Sequence, residues 1–408
     1  MPVENIQSTP KGNRLHIGIF GNRNVGKSSF INAFTNQEIS IVSPTPGTTT
    51  DPVEKAYELH NLGPVLLIDT AGLDDTGDLG SARIKKSKQA IKKSDIVFIL
   101  LDNHSLNKTD KTIIATAKDK NIPYFILINK SDLINQNELT QILDTLHQDH
   151  QFVFNCSAKN KTGINEIKKQ LTTLFKNKTD IPIVNDLIPD NSITLLVMPQ
   201  DKEAPTGRLI LPQAQTIREL LDNNKMSINI TPAMIPQTLK SLNKKPNLVI
   251  TDSQAFQKVS QLVPKDINLT SFSILFARQK GDLATYINGI KALNNIQDND
   301  KILIAELCSH HAIKEDIGRD KIPQWLRSKT GKEIIFDITS GKDFPDNLSQ
   351  YKLVIQCGGC MVNRNLIVDR INQAKKQNIP ITNYGILIAH IHNILQRSIQ
   401  PLGASIHE

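Results

Sequence analysis

The chain has 408 residues and a formal net charge of +8; 39% of its residues are hydrophobic and 22% are charged. This length allows two or three domains that each bury a core, and the composition is ordinary for a soluble globular protein. No apolar run is long enough to span a bilayer, and the first residues, MPVENIQSTPKGNR, lack the apolar core of a secretory signal. We therefore expect a cytoplasmic protein without a membrane partner.

Short apolar runs alternate with amphipathic stretches along the first 175 residues. The predicted strands are Leu15–Phe20, Val65–Asp69, Ile96–Leu101, Tyr124–Asn129 and Phe152–Cys156. Each run is followed by turn residues and then by a helical pattern, which is typical of a mainly parallel sheet wrapped by helices. The polar stretch Lys176–Asp190 holds two prolines and is the expected linker.

The same alternation continues in two further blocks. The predicted strands of the second block are Ile193–Met198, a strand near Ile228, Leu248–Thr251 and Ser273–Phe276, with helices over Gln213–Leu221, Ala233–Leu242 and Ala255–Leu262. Those of the third are Ile302–Leu307, Glu333–Ile338 and Leu353–Gln356, with helices over Leu283–Leu293, Ile322–Ser328 and Leu366–Lys376. The pattern predicts three consecutive α/β domains, 1–178, 179–268 and 269–408.

A phosphate-binding loop follows the first strand. Gly21-Asn-Arg-Asn-Val-Gly26-Lys27-Ser28 fits GxxxxGKS and lies between a strand and an amphipathic segment, the context in which this motif is specific. Glycines allow backbone N–H groups to surround phosphates at a helix N-terminus. We expect Lys27 to contact the β- and γ-phosphates and Ser28 to bind Mg²⁺.

Two further elements at strand ends indicate guanine, and a third is expected to bind Mg²⁺ through Asp69 and the γ-phosphate through the Gly72 N–H. Asp132 of Asn129-Lys-Ser-Asp132 can accept hydrogen bonds from guanine N1 and N2, whereas adenine carries an acceptor at N1. Ser157-Ala-Lys159 resembles the element that contacts guanine from the other side, and Asp69-Thr-Ala-Gly72 resembles DxxG. The predicted GTP/GDP-binding residues are Gly21, Asn24, Val25, Gly26, Lys27, Ser28, Ser29, Thr48, Thr49, Asp69, Gly72, Asn129, Lys130, Asp132, Ser157, Ala158 and Lys159. Of these, Lys27, Thr49, Asp69 and Gly72 are the predicted catalytic residues.

The residue after Gly72 is Leu73, which cannot orient an attacking water as a glutamine would. Asn24 and the stretch Pro46-Gly-Thr-Thr-Thr-Asp51 resemble features of tRNA-modifying and ribosome-assembly GTPases that use K⁺. That resemblance implies that Asn24 binds K⁺, Thr49 binds Mg²⁺ and Thr48 helps to form the K⁺ loop. Asparagine is also a common turn residue, which is the alternative for Asn24. We expect slow GTP hydrolysis that K⁺ stimulates.

Three of the four cysteines, Cys308, Cys357 and Cys360, fall in the last third of the chain, and four are too few for a disulfide scaffold of this size. Cys308 follows one predicted strand and Cys357-Gly-Gly-Cys360 follows another, so the two loops meet at one edge if both strands belong to one parallel sheet. Three thiolates fit either a structural zinc site or a [4Fe–4S] cluster, and spacing alone does not decide between them.

The whole pattern resembles the HydF family of [FeFe]-hydrogenase maturation GTPases. The residues that carry the resemblance are TPGTTTDPV, the segment DKEAPTGRLILPQAQTIRELLD, CSH and CGGC, and it covers residues 15 to about 395. It implies a homodimer, joined through the middle domain, that binds a [4Fe–4S] cluster and carries the diiron precursor of the hydrogenase H-cluster. It also implies radical-SAM maturases and the immature hydrogenase as partners.

One position departs from that family, because Gln356 stands where the usual pattern has a histidine before CGGC. Glutamine is a poor iron ligand, so the fourth ligand is open. The candidates are His310, which matches the family, and His311, Glu315 or Asp316, or else the position is left to an incoming ligand.

The alternative function is an RNA-directed GTPase of the ribosome-assembly or tRNA-modification type with a structural zinc site. The basic residues Arg83-Ile-Lys-Lys-Ser-Lys and Lys92-Lys93 could serve nucleic acid or an acidic partner, or be a solvated helix face. No K-homology-type GxxG loop lies in a basic helical context outside the first domain, so we do not expect nucleic acid as a partner.

Overall fold

The computed structural model describes residues 9–36, 53–59, 62–70, 87–102, 106–176, 181–200, 209–307, 316–341 and 343–405. The chain forms two compact units, residues 1–179 and 180–408. Three sheets follow one another along the chain, one in the first unit and two in the second, which confirms the predicted series of three α/β regions. The boundaries at 178 and 268 stay predictions.

The first unit is built on a six-stranded sheet. Its strands are β1 Leu15–Gly21, β2 Val53–Leu59, β3 Gly63–Asp69, β4 Ile96–Leu101, β5 Tyr124–Ile128 and β6 Val153–Asn155. The order is β2-β3-β1-β4-β5-β6, with only β2, at the edge, antiparallel to its neighbour. The described helical segments are Lys27–Thr35, 87–93, Lys108–Asp119, Gln136–Asp149 and Ile164–Lys176, with short turns at Lys11–Asn13 and Ser131–Leu133.

Both faces of this sheet are covered, which explains the continuous apolar strands that the sequence shows. Phe30, Phe34, Phe98 and Phe125 pack on one face with successive ring centroids 5.4–6.1 Å apart. On the other face, helices contribute residues such as Ile91 and Ile113 to a second core. Parallel strands buried on both faces leave only their ends free for polar chemistry.

The second unit contains two four-stranded, all-parallel sheets. One consists of β7 Ile193–Val197, β8 Met226–Ile230, β9 Leu248–Thr251 and β10 Asn268–Ser271, and the other of β11 Lys301–Ala305, β12 Ile335–Thr339, β13 Leu353–Gln356 and β14 Ile381–Asn383. Their orders are β10-β9-β7-β8 and β12-β11-β13-β14. Residues of both sheets, among them Val249 and Ile304, belong to one continuous apolar core.

Helices connect the strands of the second unit. They are Leu211–Asp222, Ile235–Ser241, Phe256–Leu262, Phe272–Lys280, Leu283–Gly289, Ile322–Thr330, Arg364–Lys376, Tyr384–Ile391 and Leu395–Ile399. A π-helical turn spans Ile317–Lys321, and shorter turns lie at Asn185–Leu187, Pro232–Met234, Ser253–Ala255, Ile290–Asn295 and Gln400–Leu402. In the part of the chain that the structure describes, none of the helices has both the length and the apolar character needed to cross a membrane.

One predicted strand is wrong. Residues 273–276 belong to the helix Phe272–Lys280, and the strand at this point is β10, which ends at Ser271. The Ser271 hydroxyl accepts a hydrogen bond from the Ile274 N–H at 3.3 Å and so caps the helix. The helix is buried on most sides, and a short apolar run cannot be distinguished from a buried strand by periodicity.

Candidate functional site

The phosphate-binding loop connects β1 to the helix Lys27–Thr35. Gly26 precedes this helix with φ of 92°, and a β-carbon there would lie 2.5 Å from the Asn129 side-chain nitrogen, so only glycine fits. The Lys27 ammonium donates to the carbonyls of Gly21 and Asn22 at 2.8 and 2.7 Å. Ser28 and Ser29 lie in the first helical turn, where N–H groups and the helix dipole attract phosphate.

Asn24 is exposed and has φ of 63°. Asparagine adopts this left-handed conformation more readily than most residues, so turn geometry accounts for its presence here. The exposed side chain of Asn24 is compatible with the predicted K⁺ contact, which stays a prediction.

Asn129 joins three of the predicted elements. Its side chain is 1% exposed; its amide nitrogen donates to the Val25 carbonyl at 2.8 Å, and its oxygen accepts from the Ala158 N–H at 3.1 Å. The thiol of Cys156 lies beneath this oxygen at 3.8 Å, and burial raises the pKa of that thiol to about 12. Asn129 therefore holds the phosphate loop and the two predicted base-binding segments in one arrangement.

The predicted base-recognition carboxylate is exposed at the end of β5. Asp132 Oδ1 accepts from the Ser157 hydroxyl at 2.5 Å, and the same hydroxyl accepts from the Asn160 N–H at 3.1 Å. Lys130 has φ of 58° and donates to Asp102 at 3.3 Å, while Lys159 is exposed. These contacts orient Asp132 and leave it open to a ligand base.

Asp69 ends β3 beside the phosphate loop. Burial raises the pKa of its carboxyl, and the charges of Lys27 and Lys55 oppose this effect. Within the described residues, Asp69 Oδ1 is buried without a hydrogen-bond partner. A carboxylate oxygen in this position fits a hydrated Mg²⁺.

Several predicted residues lie outside the described part of the chain. They are Thr48, Thr49, Gly72, Leu73, Cys308, His310, His311 and Glu315. Their roles stay predictions.

The two described cysteines of the C-terminal site follow β13, next to the end of β11. Because β11 and β13 are parallel neighbours, Cys357 lies beside the segment that leads into Cys308, as the sequence predicts. The Cys357 N–H donates to the Ala305 carbonyl at 3.1 Å, and the Leu307 N–H donates to Cys357 Sγ at 3.1 Å. Neither Cys357 nor Cys360 forms a disulfide.

The glycines between the cysteines differ. Gly359 has φ of 62°, and a β-carbon there would lie 2.7–2.8 Å from the side chains of Ile367 and Leu307. A β-carbon at Gly358 would meet no atom within 4 Å. Gly359 is therefore required by the turn, whereas the turn does not require glycine at position 358.

Two buried cations lie around this turn. Lys280 is 6% exposed and donates to the carbonyls of Cys360 and Val362 at 3.1 and 3.0 Å; burial lowers its pKa to about 8. Arg370 is 2% exposed and donates to the Glu306 carbonyl at 3.3 Å, and burial lowers its pKa to about 10. Burial, together with the charge of Cys357, raises the pKa of the Cys360 thiol, while Lys280 opposes this.

Gln356 is fully buried at the end of β13. Its amide nitrogen donates to the Tyr286 hydroxyl at 3.0 Å, and burial raises the pKa of that hydroxyl. Asp316 Oδ1 accepts from the N–H groups of Gly318 and Arg319 at 2.7 and 3.0 Å and caps the following turn. Among the described residues, no group of three histidine, cysteine or acidic side chains is gathered as for a metal ion.

Comparison with family models assigns the second unit. Residues 183–281 match the hydrogen maturase F dimerization domain, and residues 284–401 match the hydrogen maturase F tetramerization domain. The chain belongs to the hydrogen maturase F family. Residues 16–130 match the model described as 50S ribosome-binding GTPase, so this family member also has a GTPase domain. The descriptions of both models, dimerization and tetramerization, support the formation of oligomers through the second unit.

Curated relatives match the GTPase region. The tRNA modification GTPase MnmE of Acetivibrio thermocellus is 32% identical over 176 residues, which is 42% of this chain and 37% of that protein. GTPase Der of Chlamydia abortus is 32% identical over 192 residues, 44% of this chain and 40% of that protein. The chain therefore spans about two fifths of the length of these relatives.

Solved structures are more distant. A crystal structure of Aquifex aeolicus Era bound to GDP and aluminium fluoride is similar over 60% of this chain and 97% of that chain, with 17% identity and a TM-score of 0.35. A score this low supports no conclusion about function.

Sequence patterns did not reveal Lys280, Tyr286 and Arg370. None belongs to a recognised motif, and Lys280 is 80 residues from Cys360. Only the packing of helices against the sheet edge brings them to the thiols.

Proposed function

We propose that this chain is a GTP-hydrolysing [4Fe–4S] protein that acts as scaffold or carrier in assembly of the diiron subsite of [FeFe]-hydrogenase. The observation that carries the proposal is the Cys357-Gly-Gly-Cys360 turn beside the segment leading into Cys308, within a hydrogen maturase F chain that also has a GTPase domain. GTP binding and cluster binding are two parts of this proposal, and each is tested by its own experiment.

In the GTPase part, Lys27 and the N–H groups of the first helical turn bind the phosphates of GTP, and Asp132 selects guanine. Asp69 and Ser28, with Thr49, hold Mg²⁺, and Gly72 contacts the γ-phosphate. Because Leu73 cannot orient water, K⁺ at Asn24 supplies the activating charge, with Thr48 in the K⁺ loop. Hydrolysis is slow and acts as a switch on partner binding or release.

The K⁺ role is tested by GTP turnover in KCl and NaCl at equal ionic strength. We expect the wild-type protein to be faster in K⁺ and the Asn24→Gly variant, which keeps the left-handed turn, to lose this difference. Equal wild-type rates in the two salts would remove K⁺ from the mechanism and leave GTP binding intact.

In the cysteine part, Cys308, Cys357 and Cys360 would hold the cluster. The Leu307 N–H bond to Cys357 Sγ and the nearby cations Lys280 and Arg370 offset the negative charge of thiolates. When bound, the cluster supplies an iron position for a second metal fragment. His310 and Glu315 are the candidates for the fourth ligand, because glutamine is a poor iron ligand; the Gln356 amide nitrogen donates to Tyr286.

Anaerobic reconstitution with iron and sulfide tests this part. We expect about four iron atoms per chain and the absorption and electron paramagnetic resonance of a [4Fe–4S] cluster. Cys357→Ser and Cys360→Ser should each lose most of the iron. Cys156→Ser is the matched control, because Cys156 is a buried thiol in the other unit. Purified protein that holds one zinc and takes up no iron would overturn the cluster assignment.

Replacement of His310 by alanine tests the fourth ligand. A changed resonance signal with full iron content supports ligation by His310. An unchanged signal removes His310 from the iron and favours Glu315 or an exchangeable ligand.

The exposed apolar residues of the second unit support a homodimer. Met226 on the edge strand β8 is 50% exposed, and Leu221 on the preceding helix is 57% exposed, within the region matched by the dimerization model. Light scattering of the whole chain tests the dimer, and a monomer at micromolar concentration would contradict it.

The proposed partners are the radical-SAM maturases and the immature [FeFe]-hydrogenase. The decisive experiment is activation of immature hydrogenase by wild-type protein isolated with the maturases, compared with the Cys357→Ser variant prepared in the same way. We expect hydrogen evolution only with the wild-type protein.

The second candidate is an RNA-directed GTPase with structural zinc, which the similarity to MnmE and Der favours. That similarity is confined to about two fifths of the chain, whereas the maturase models match more than half of it. Zinc content and RNA affinity in the reconstitution samples separate the two candidates.

A further inference from the structure

A groove on the first unit lies between the helical segment 87–93 and the helix Lys108–Asp119. It has a volume of about 800 Å³ and extends into a smaller pocket of about 240 Å³. The charged residues that line the groove are Lys88, Lys92, Lys108, Lys111, Lys120 and Asp119. We call it the lysine groove. It is separate from the residues assigned above to GTP and to the cluster.

The charge balance of the lysine groove is strongly positive. Five lysines face one carboxylate, and Asp119 lies 4.0 Å from Lys120. Lys88, Lys108 and Lys111 are all exposed. A surface of this kind attracts a polyanionic partner by long-range electrostatics.

The floor of the groove is apolar. Ala115, which is exposed, and the side chains of Thr112 and Thr116 lie among the lysines. Ile91 and Ile113 of the core, 1% and 4% exposed, close the bottom of the smaller pocket. An apolar floor with a charged rim suits an amphipathic helix, whose apolar face enters the groove while its flanks meet the rim. The wall formed by Lys108–Asp119 is 12 residues long, or about 18 Å, which matches three to four turns of a partner helix.

The lining residues favour protein over nucleic acid. None of the described residues that line the groove is aromatic, so bases would find no ring on which to stack. A phosphate backbone would match the charged rim but would make no apolar contact with the exposed Ala115. The acidic, amphipathic helix satisfies both the rim and the floor.

We propose that the lysine groove is a docking site for an acidic amphipathic helix of a partner protein. The site is independent of cluster binding. It is therefore tested on the full chain with GDP bound and without iron in the cysteine site. Failure of the cluster proposal leaves this test unchanged.

The probe is a fluorescent 18-residue helical peptide with leucines at i, i+4, i+7 and i+11 and glutamates on both flanks. Two comparison peptides are a scrambled sequence of the same composition and a version with lysine in place of every glutamate. A single-stranded RNA of matched net charge is the nucleic-acid probe. Binding is measured by fluorescence anisotropy at several salt concentrations.

Two variants carry the same change of net charge. The first variant combines Lys88→Glu, Lys108→Glu and Lys111→Glu and reverses charge in the groove. The second is the control; it combines Lys169→Glu, Lys240→Glu and Lys258→Glu and reverses charge at exposed lysines outside the groove. A third variant, Ala115→Trp, narrows the groove at an exposed helical position and keeps every charge. Circular dichroism and GDP affinity show that each variant is folded.

We expect the amphipathic acidic peptide to bind the wild type at least tenfold more tightly than the scrambled peptide does. The groove charge-reversal variant and Ala115→Trp should each weaken this binding at least tenfold, and the control variant should weaken it less than threefold. Equal loss in the groove and control variants would show nonspecific attraction and overturn the proposal. RNA binding that depends on the groove lysines, without binding of the acidic peptide, would assign the surface to nucleic acid instead.

Discussion

The nucleotide site and the cysteine site both lie at the carboxyl edge of a parallel sheet, but different residues hold them together. In the nucleotide site the contacts run between the motif residues themselves, as when Asn129 bonds to Val25 and Ala158, or Ser157 to Asp132. In the cysteine site the thiol turn is held by Leu307 and Lys280, which belong to no motif. A motif can therefore describe the residues of one site almost completely, whereas in the other site it identifies only the cysteines.

The sharpest test of the first site is Asp132→Asn. The new amide keeps one acceptor oxygen but replaces the other with a donor, so the N1 and N2 donors of guanine cannot both be paired and GTP affinity should fall by about 10²–10⁴-fold. Titration calorimetry with GTP measures this. Asp144→Asn, at an exposed position on the helix Gln136–Asp149, is the control and should bind as the wild type does. Unchanged affinity of the Asp132 variant would show that the motif does not read the base.

The second site is tested by two neighbouring substitutions. Gly359→Ala places a β-carbon against Ile367 and Leu307 in a left-handed turn, at a cost of about 1–3 kcal/mol, whereas Gly358→Ala meets open space. We expect the first variant to lose most of its iron after reconstitution and the second to retain most of it. Equal iron content in the two variants would mean that the turn does not position the thiols.

Lys280→Met asks whether a residue outside the motifs stabilises the thiol turn. The carbonyls of Cys360 and Val362 would lose their ammonium donor, so the second unit should be destabilised by about 1–3 kcal/mol. Urea denaturation of the metal-free protein measures the free energy of unfolding. Lys291→Met, at an exposed position, should change it by less than about 0.5 kcal/mol. Equal effects of the two variants would contradict a role for Lys280.

The smallest expected effect concerns pH. Burial by itself raises the pKa of Asp282, but the bonds from Lys375 and Thr285 outweigh it and lower this pKa to about 2. Because the folded pKa lies below the unfolded value of about 3.9, the contribution is present above about pH 4 and is lost as pH falls through about 2. The group is partly exposed, so about 1 kcal/mol is expected.

Acid titration of stability compares the wild type with Asp282→Asn. The difference in free energy of unfolding should be about 1 kcal/mol at pH 6 and should shrink towards pH 2. A difference that is constant from pH 6 to pH 2 would exclude this ionisation as its source.

The fold followed from the sequence where patterns are local. The strands β4, β9 and β13 have the bounds that the apolar runs predict, and the parallel pairing of β11 with β13 is confirmed. The prediction failed at residues 273–276, because a helix buried on most sides has the same apolar run as a buried strand. The edge strand β2 was not predicted, since it is half exposed and mixed in polarity.

By itself, the sequence determined the class of the chain and most of its strands, and it predicted the nucleotide-binding and thiol residues, because these depend on short spacings. Only the tertiary structure showed that Lys280 and Arg370 are buried beside the thiol turn and that Gln356 bonds to Tyr286. It also showed the lysine groove, whose walls lie on two helical segments. These features depend on long-range packing, which brings together residues whose separation along the chain carries no pattern.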